Sequence, residues 1–157
     1  MMDAPVRSLD QVEIGELSQS VGFLLRLAQL RAFADFFSDN GPRDLKPGEF
    51  TVLWVISRNP GIRQSVLGQR LMIKRAHMTK LIRAMEDQGF VARRIPDCDR
   101  RAVELTLTPL GESAAERASI PFFDYEKRAG APLDQEERVE LISLLRKYVG
   151  LQGGTDG

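Results

Sequence analysis

Apolar positions in the first part of the chain recur at helical spacing. No proline occurs between about residue 10 and residue 39, and the apolar side chains stand three or four positions apart, which predicts an amphipathic helix. Its apolar positions are Ile14, Leu17, Val21, Leu24, Leu25, Ala28 and Ala32. Asn40-Gly41-Pro42 is expected to end it. A second helix is predicted to begin at Lys46-Pro47, since proline is tolerated in the first turn, and to end at Asn59-Pro60-Gly61. It is apolar nearly all round and should be buried.

The middle of the chain predicts two more helices and then a change of period. A short helix is expected near residues 64–71 and a longer one from about residue 75 to residue 88, with Gly89 in the left-handed conformation after it. Apolar residues then alternate with other residues on both sides of residues 96–101, which predicts a β-hairpin with a charged tip. Three helices followed by a hairpin is the order of a winged helix-turn-helix.

Two further helices are predicted at the carboxyl end. Thr108 should cap the first of them, with Pro109 at its first position, and Pro121 should kink or interrupt it. Asp134-Gln135-Glu136-Glu137 has the spacing of a capping box and should open the last helix. The predicted fold class is therefore mainly α, with a small β-hairpin wing. The tail, residues 151–157, is expected to be disordered.

The formal charge of the chain is zero, but it is unevenly distributed. Residues 58–101 contain eleven cations and four anions, so this segment carries +7 and the remainder carries −7. A concentration of Lys and Arg suits a polyanion, because each neutralised phosphate releases counterions. Double-stranded DNA is the partner that this charge pattern favours.

The predicted helix at residues 75–88 would place its apolar residues and its cations on different faces. Met78, Leu81, Ile82 and Met85 form one stripe that should face the core. The residues predicted to contact DNA from this part of the chain are Lys74, Arg75, Ala76, His77, Thr79, Lys80 and Arg83. Arg100 and Arg101 at the hairpin tip are predicted to reach the adjacent minor groove, with Asp99 bracing one of the two guanidinium groups.

Composition argues against several other classes. Apolar content of 43% and charged content of 28% are typical of a globular protein. No apolar run has the length of a membrane span, and the start of the chain does not read as a secretory signal, so we expect no membrane association. A single cysteine fits a reducing compartment, and the cytoplasm is the expected location.

An enzyme is the main alternative class, and the sequence argues against it. The chain has one histidine and one cysteine, without a metal-binding, phosphate-binding or nucleophile motif. We therefore predict no enzymatic activity, no cofactor and no metal site. A winged-helix module that binds only proteins is a second alternative, and the +7 segment weighs against it.

The segment Leu45 through Gly111 resembles the MarR family of winged-helix transcription regulators. The pieces that carry the resemblance are residues 45–50, Asn59-Pro60-Gly61, residues 67–71, residues 78–82, residues 85–93, Asp99-Arg100-Arg101 and residues 105–111. The resemblance implies an obligate homodimer, a palindromic operator and commonly a small ligand that alters operator affinity. Two residues depart from the family pattern: Arg63 stands where Ser or Thr usually caps a helix, and Gly68 replaces the usual alanine.

The resemblance also implies a division of the chain. Residues 1–44 would form an N-terminal dimerisation helix, residues 45–108 the winged helix-turn-helix, and residues 109–150 the C-terminal dimerisation helices. We expect a ligand-responsive regulator, most simply a repressor, with an aromatic acid or its acyl-CoA thioester as the effector. The candidate ligand-binding residues are Phe23, Arg26, Arg31, Phe33, Phe37 and Trp54. A redox-responsive regulator acting through Cys98 is an alternative, although the neighbouring acids Asp97 and Asp99 disfavour the reactive thiolate.

Overall fold

The structure, a computed structural model, describes residues 8–9, 12–38 and 45–151, with residues 37 and 38 described by their backbone alone. The chain divides into two compact units, Met1–Asn40 and Gly41–Gly157. The first contains a short 3-10 helix, Gly15–Gln19, and helix α1, Val21–Ser38. The single helix predicted from about residue 10 is thus split, because Ser20 is extended, with a ψ of 113°. The predicted end of this helix at residues 40–42 lies outside the described residues.

Helix α2, Pro47–Arg58, is the buried helix of the second unit, as predicted. Its start is held by the backbone N–H of Lys46, which donates to the Glu49 carboxylate at 3.0 Å. Four of its side chains are buried, and they pack with residues from the later helices and strands into one core. That core comprises Leu45, Phe50, Val52, Leu53, Ile56, Leu67, Met78, Ile82, Met85, Val91, Leu105 and Ala115. Burying this apolar surface supplies the main stabilisation of the unit.

Helices α3, Gln64–Arg70, and α4, Arg75–Asp87, form the predicted helix-turn-helix. The turn between them is tight, because the Gly68 carbonyl accepts a hydrogen bond from the Ile73 N–H at 2.9 Å. A Cβ at Gly68 would lie 3.3 Å from the Ile73 carbonyl oxygen. The missing side chain therefore allows the close approach, which gives the departure at Gly68 a structural reason. Met72, in the turn, has a φ of +54°.

The small sheet contains one strand more than predicted. Strands β2, Val91–Arg94, and β3, Glu104–Leu107, form the expected antiparallel hairpin. Strand β1, Ile62–Arg63, pairs with the other edge of β3, giving the order β1-β3-β2. Two residues are too few to show a period of two, so the sequence pattern did not reveal this strand. Gly61, with a φ of +82°, leads into β1, and its N–H donates to the Leu105 carbonyl.

Helix α5, Pro109–Arg128, is attached to the hairpin through its first turn. The Thr108 hydroxyl accepts from the Gly111 N–H at 3.1 Å, as predicted for an N-cap, and also donates to the Gly89 carbonyl. Gly89 has a φ of +79°, as predicted. A Cβ at Gly111 would lie 2.0 Å from the Phe90 carbonyl oxygen, so helix and hairpin meet at backbone distance.

Pro121 was predicted to kink or interrupt this helix, and α5 runs through it without interruption. Proline removes one backbone donor, but the neighbouring Phe122 ring packs 4.3 Å from the Phe50 ring and anchors the helix at this point. Helix α6, Gln135–Tyr148, begins at the predicted capping box, in which Asp134 and Glu137 exchange side-chain to backbone hydrogen bonds of 2.9 Å. Residues 152–157 of the tail lie outside the described residues.

Within the described ranges, no helix combines the length and the apolar character that crossing a membrane requires.

Candidate nucleic-acid interface

Helix α4 separates its apolar residues from its cations. Met78, Ile82 and Met85 are buried and Leu81 is half-buried, as the sequence predicted. The opposite face is exposed, and so is Lys74, which precedes the helix. The predicted contact residues that are exposed on and beside α4 are Lys74, Arg75, Ala76, His77, Lys80 and Arg83. A helix of this kind, seated on a core by one face, is free to present the other to a DNA groove.

Thr79 differs from the other residues predicted on this face. It is half-buried, and its hydroxyl accepts a hydrogen bond from the Gln64 amide of α3 at 3.2 Å. This bond joins the two helices of the helix-turn-helix. Thr79 therefore helps to hold their relative orientation. Gln64 was not among the predicted site residues, since a neutral amide contributes nothing to a charge pattern.

The wing tip carries Arg100 and Arg101, both exposed, as the hairpin prediction required. Asp99 does not have the expected partner. Its Oδ2 lies 3.5 Å from Nη1 of Arg63, and its Oδ1 accepts from the backbone N–H of Arg101 at 3.1 Å. The carboxylate therefore holds the wing backbone and Arg63, and neither wing guanidinium takes part. Because Arg63 reaches the wing through tertiary contact, its role was not readable from the local sequence.

The cations of the basic segment fall into two groups. Arg93 pairs with Glu86 at 2.7 Å and Arg94 pairs with Glu104 at 2.6 Å, so these charges are partly neutralised within the protein. Eight cations of the segment, Arg58 and Arg70 among them, form no ion pair with an acidic side chain in residues 45–151, and the other six lie on or beside α4 and at the wing tip. They are Lys74, Arg75, Lys80, Arg83, Arg100 and Arg101. These six remain available for an external anion.

An open crevice of about 800 Å³ lies between the helix-turn-helix and the wing. Gln69, Met72, Lys74 and Arg75 contribute from the helix-turn-helix side, and Arg101 contributes from the wing. Cations therefore stand on both sides of this crevice. The arrangement offers charged groups to two neighbouring segments of one polyanion.

The candidate ligand-binding residues are distributed over the two units. Phe23, Arg26, Arg31 and Phe33 belong to α1, where Phe23 is half-buried and the other three are exposed. Arg31 stands 3.9 Å from Asp35. The side chain of Phe37 lies outside the described residues. Trp54 is half-buried in α2 of the second unit.

Around Trp54 the structure brings together three phenylalanine rings that the candidate ligand set did not contain. We call Phe50, Trp54, Phe122 and Phe123 the aromatic cluster; they come from α2 and α5. Trp54 lies 5.1 Å from Phe123 and 5.7 Å from Phe50, measured between ring centroids. Such pairs contribute beyond their buried area. Sequence alone did not show the contact of the two phenylalanines of α5 with Trp54.

Cys98 is exposed in the wing. Among the residues described, no group of three or more His, Cys, Asp or Glu side chains is arranged to hold a metal ion.

The fold and this surface define a class: a winged helix-turn-helix protein with a cationic recognition helix and a cationic wing. Comparison with known proteins identifies the family within this class. The model of the MarR family matches residues 45–103. A putative transcriptional regulatory protein for the hcr operon of Thauera aromatica is 31% identical over 134 residues, which cover 85% of this chain and 81% of that protein.

Solved structures agree with this assignment. The transcriptional repressor CouR bound to a 23-mer DNA duplex is 33% identical, with a TM-score of 0.77 over 88% of this chain and 98% of that one. CouR bound to p-coumaroyl-CoA is 31% identical, with a TM-score of 0.75 over 88% and 97%. The chain belongs to the MarR family of DNA-binding transcription regulators, which are not enzymes.

Proposed function

We propose that this chain acts in the cytoplasm as a homodimeric repressor that binds a palindromic operator and is released from it by a small ligand. One observation carries the proposed DNA contacts: the six cations of α4 and the wing that form no ion pair in residues 45–151. Unpaired cations gain most from phosphate, because no internal partner has to be given up and counterions are released from the DNA.

In the proposed complex, α4 enters the major groove and the wing reaches the adjacent minor groove. Arg75, His77 and Lys80 are exposed and can donate to guanine edges, while Lys74 and Arg83 suit phosphates. The methyl group of Ala76 is small enough to permit close approach. Arg100 and Arg101 would be drawn to the negative potential of the minor groove.

Substitution of α4 cations tests this docking. Arg75→Ala or Lys80→Ala is expected to weaken operator binding by about 1–3 kcal/mol per half-site and to relax specificity at one base pair. Neither should lower the melting temperature, because both side chains are exposed. The measurement is fluorescence anisotropy with a duplex selected by the wild-type protein from a random-sequence library. Arg146→Ala, which removes an exposed cation of α6, is the matched control. Wild-type affinity in both α4 variants would contradict the docking.

Two helices with many exposed apolar side chains support the homodimer. On α6, Val139, Leu141, Ile142 and Leu144 are all at least 41% exposed. On α1, Val21, Leu24, Leu27, Leu30 and Phe33 are at least 42% exposed. Large apolar side chains exposed in such numbers are typical of helices that a partner covers. A symmetric dimer would present two recognition helices to two half-sites, roughly 34–36 Å apart for one turn of DNA, and so cover a promoter.

The relatives support an aromatic effector. The repressor of homoprotocatechuate degradation from Escherichia coli is 24% identical over 69% of this chain, and CouR has been solved with p-coumaroyl-CoA. The proposed ligand-binding residues are Phe23, Arg26, Arg31 and Phe33 in the first unit and Trp54 in the second. Aromatic rings offer apolar surface, and an arginine offers a cation for a carboxylate or for the phosphates of coenzyme A. A ligand that prefers the DNA-free conformation by a hundredfold would shift the equilibrium by about 2.7 kcal/mol.

Tryptophan fluorescence tests the effector class. Because Trp54 is the only tryptophan in the chain, binding of p-coumarate, protocatechuate or a coenzyme A thioester beside it is expected to quench the emission and to release DNA. Arg26→Ala or Arg31→Ala should blunt the release without changing affinity for DNA in the absence of ligand. Arg117→Ala serves as the control on α5. If a broad panel of these compounds changes neither emission nor DNA affinity, the effector is not an aromatic acid.

A further inference from the structure

Arg63 occupies a junction between the sheet and the helix-turn-helix. It is the last residue of β1, where it stands opposite Glu104 of β3, and it is also the N-cap of α3. Its side chain makes no capping hydrogen bond. The guanidinium instead extends to Asp99 in the wing, with Nη1 3.5 Å from Oδ2. A Ser or Thr at this position would cap α3 and would be too short to reach the wing.

Asp99 makes two contacts from one carboxylate. Oδ2 pairs with Arg63, and Oδ1 accepts from the backbone N–H of Arg101 at 3.1 Å. The second contact fixes the backbone at the start of the wing arginines, because Arg100 lies between Asp99 and Arg101. The position of the Asp99 carboxylate therefore influences the backbone position of the segment that carries both cations.

The wing loop, residues 95–102, has few other connections. Its backbone bonds are internal turns, from Asp99 N–H to the Pro96 carbonyl and from Ala102 N–H to the Asp99 carbonyl. Pro96 and Ala102 are buried and anchor its two ends. Among the described residues, the Arg63–Asp99 pair is the one side-chain ion pair or hydrogen bond that joins this loop to the remainder of the chain. Between its two anchored ends, the loop is therefore restrained from outside by this pair.

We propose that Arg63 is a positioning residue for DNA binding, which ties the wing to the start of the helix-turn-helix and so sets the distance between the two DNA-contacting parts. The proposal rests on the proposed role of the wing arginines. It explains why a cation stands at a helix N-cap, where it opposes the helix dipole. The helix start loses its cap and the wing gains an attachment point outside its own hairpin.

Asp99→Asn is the sharpest variant, because electrostatics and positioning predict opposite results. Removing a negative charge from a DNA-facing surface should by itself tighten binding. Loss of the ion pair should weaken it, by about two- to fivefold per half-site for an exposed pair. The amide oxygen can still accept from the Arg101 N–H, so the turn is preserved. Asp97→Asn is the matched control, since Asp97 is exposed and pairs with no cation among the described residues. We expect Asp99→Asn to weaken binding to the library-selected duplex and Asp97→Asn to leave it equal or tighter.

Arg63→Ser completes the test. Serine restores a cap for α3, so the melting temperature should be unchanged or higher while DNA affinity falls. In a double-mutant cycle with Asp99→Asn, the second substitution should cause little further loss of DNA affinity, because the first has already removed the ion pair. The slope of log affinity against log salt should stay the same, whereas loss of a direct phosphate contact would reduce it by about 0.9 per phosphate. Arg63→Gln is the substitute if Arg63→Ser does not fold.

Hydrogen exchange of the DNA-free protein separates this inference from the proposed function. Backbone amides of residues 97–101 should exchange faster in both single variants and in the double variant alike. If wild-type protein fails to bind DNA but the exchange effect is present, the proposed role of the wing in DNA binding is wrong. The restraint of the wing by the Arg63–Asp99 pair is then still supported. If exchange is unchanged, if Asp99→Asn binds as tightly as Asp97→Asn, or if the two substitutions are additive with a reduced salt slope, Arg63 does not position the wing.

Discussion

At the scale of single residues, Met72 is the residue other than glycine that has a positive φ within the described part of the chain. Its φ of +54° costs a residue other than glycine about 1–2 kcal/mol. Because its side chain is 90% exposed, burial of that side chain contributes little stabilisation to offset this cost. Met72→Gly is therefore expected to raise the free energy of unfolding by about 0.5–1 kcal/mol, part of the relief being offset by the flexibility of glycine in the unfolded chain. Urea denaturation measures this. Met72→Ala keeps the strain and should change stability little; an equal gain in both would exclude strain as the cause.

At the scale of elements, the wing and α5 are joined by backbone contact at Gly111. A Cβ there would lie 2.0 Å from the Phe90 carbonyl oxygen and 2.8 Å from its carbon, and neither atom belongs to a side chain that could move away. Gly111→Ala should lower the free energy of unfolding by about 3 kcal/mol or more. Gly48→Ala, in the first turn of α2 with nothing within 4 Å of the added Cβ, should instead gain up to about 1 kcal/mol in urea denaturation. Similar effects of both substitutions would contradict a steric origin.

At the scale of the whole molecule, α6 exposes more apolar surface than a monomer would retain. Leu144 is 57% exposed, and no residue of this helix is buried. If a second copy covers Leu144, Leu144→Asp should weaken the dimer by several kcal/mol through an unpaired buried charge, and operator binding should fall with it. Analytical ultracentrifugation measures the dissociation constant of the dimer, with Glu140→Ala on the same helix as control. A wild-type protein that is monomeric at micromolar concentration would contradict the proposed assembly.

Features that depend on local spacing could be predicted from the sequence. The stripe of Met78, Ile82 and Met85 follows from the helical period, because one face of α4 must meet the core. The hairpin follows from a period of two on both sides of a polar segment. Capping at Thr108 and Asp134, and the left-handed Gly89, follow from the chemistry of single residues at helix ends. Each of these interactions spans a few residues of the chain or requires only a buried face.

Tertiary structure alone decided the features that depend on distant partners. Strand β1 exists because β3 offers its edge, and the two residues of β1 carry no recognisable period. Helix α5 continues through Pro121 because the rings beside it pack against α2, which outweighs one lost hydrogen bond. Asp99 pairs with Arg63, 36 positions earlier, and the wing arginines next to it are left unpaired within the described chain. Packing brings such residues together, and local sequence has no means of encoding which of several nearby cations an acid will meet.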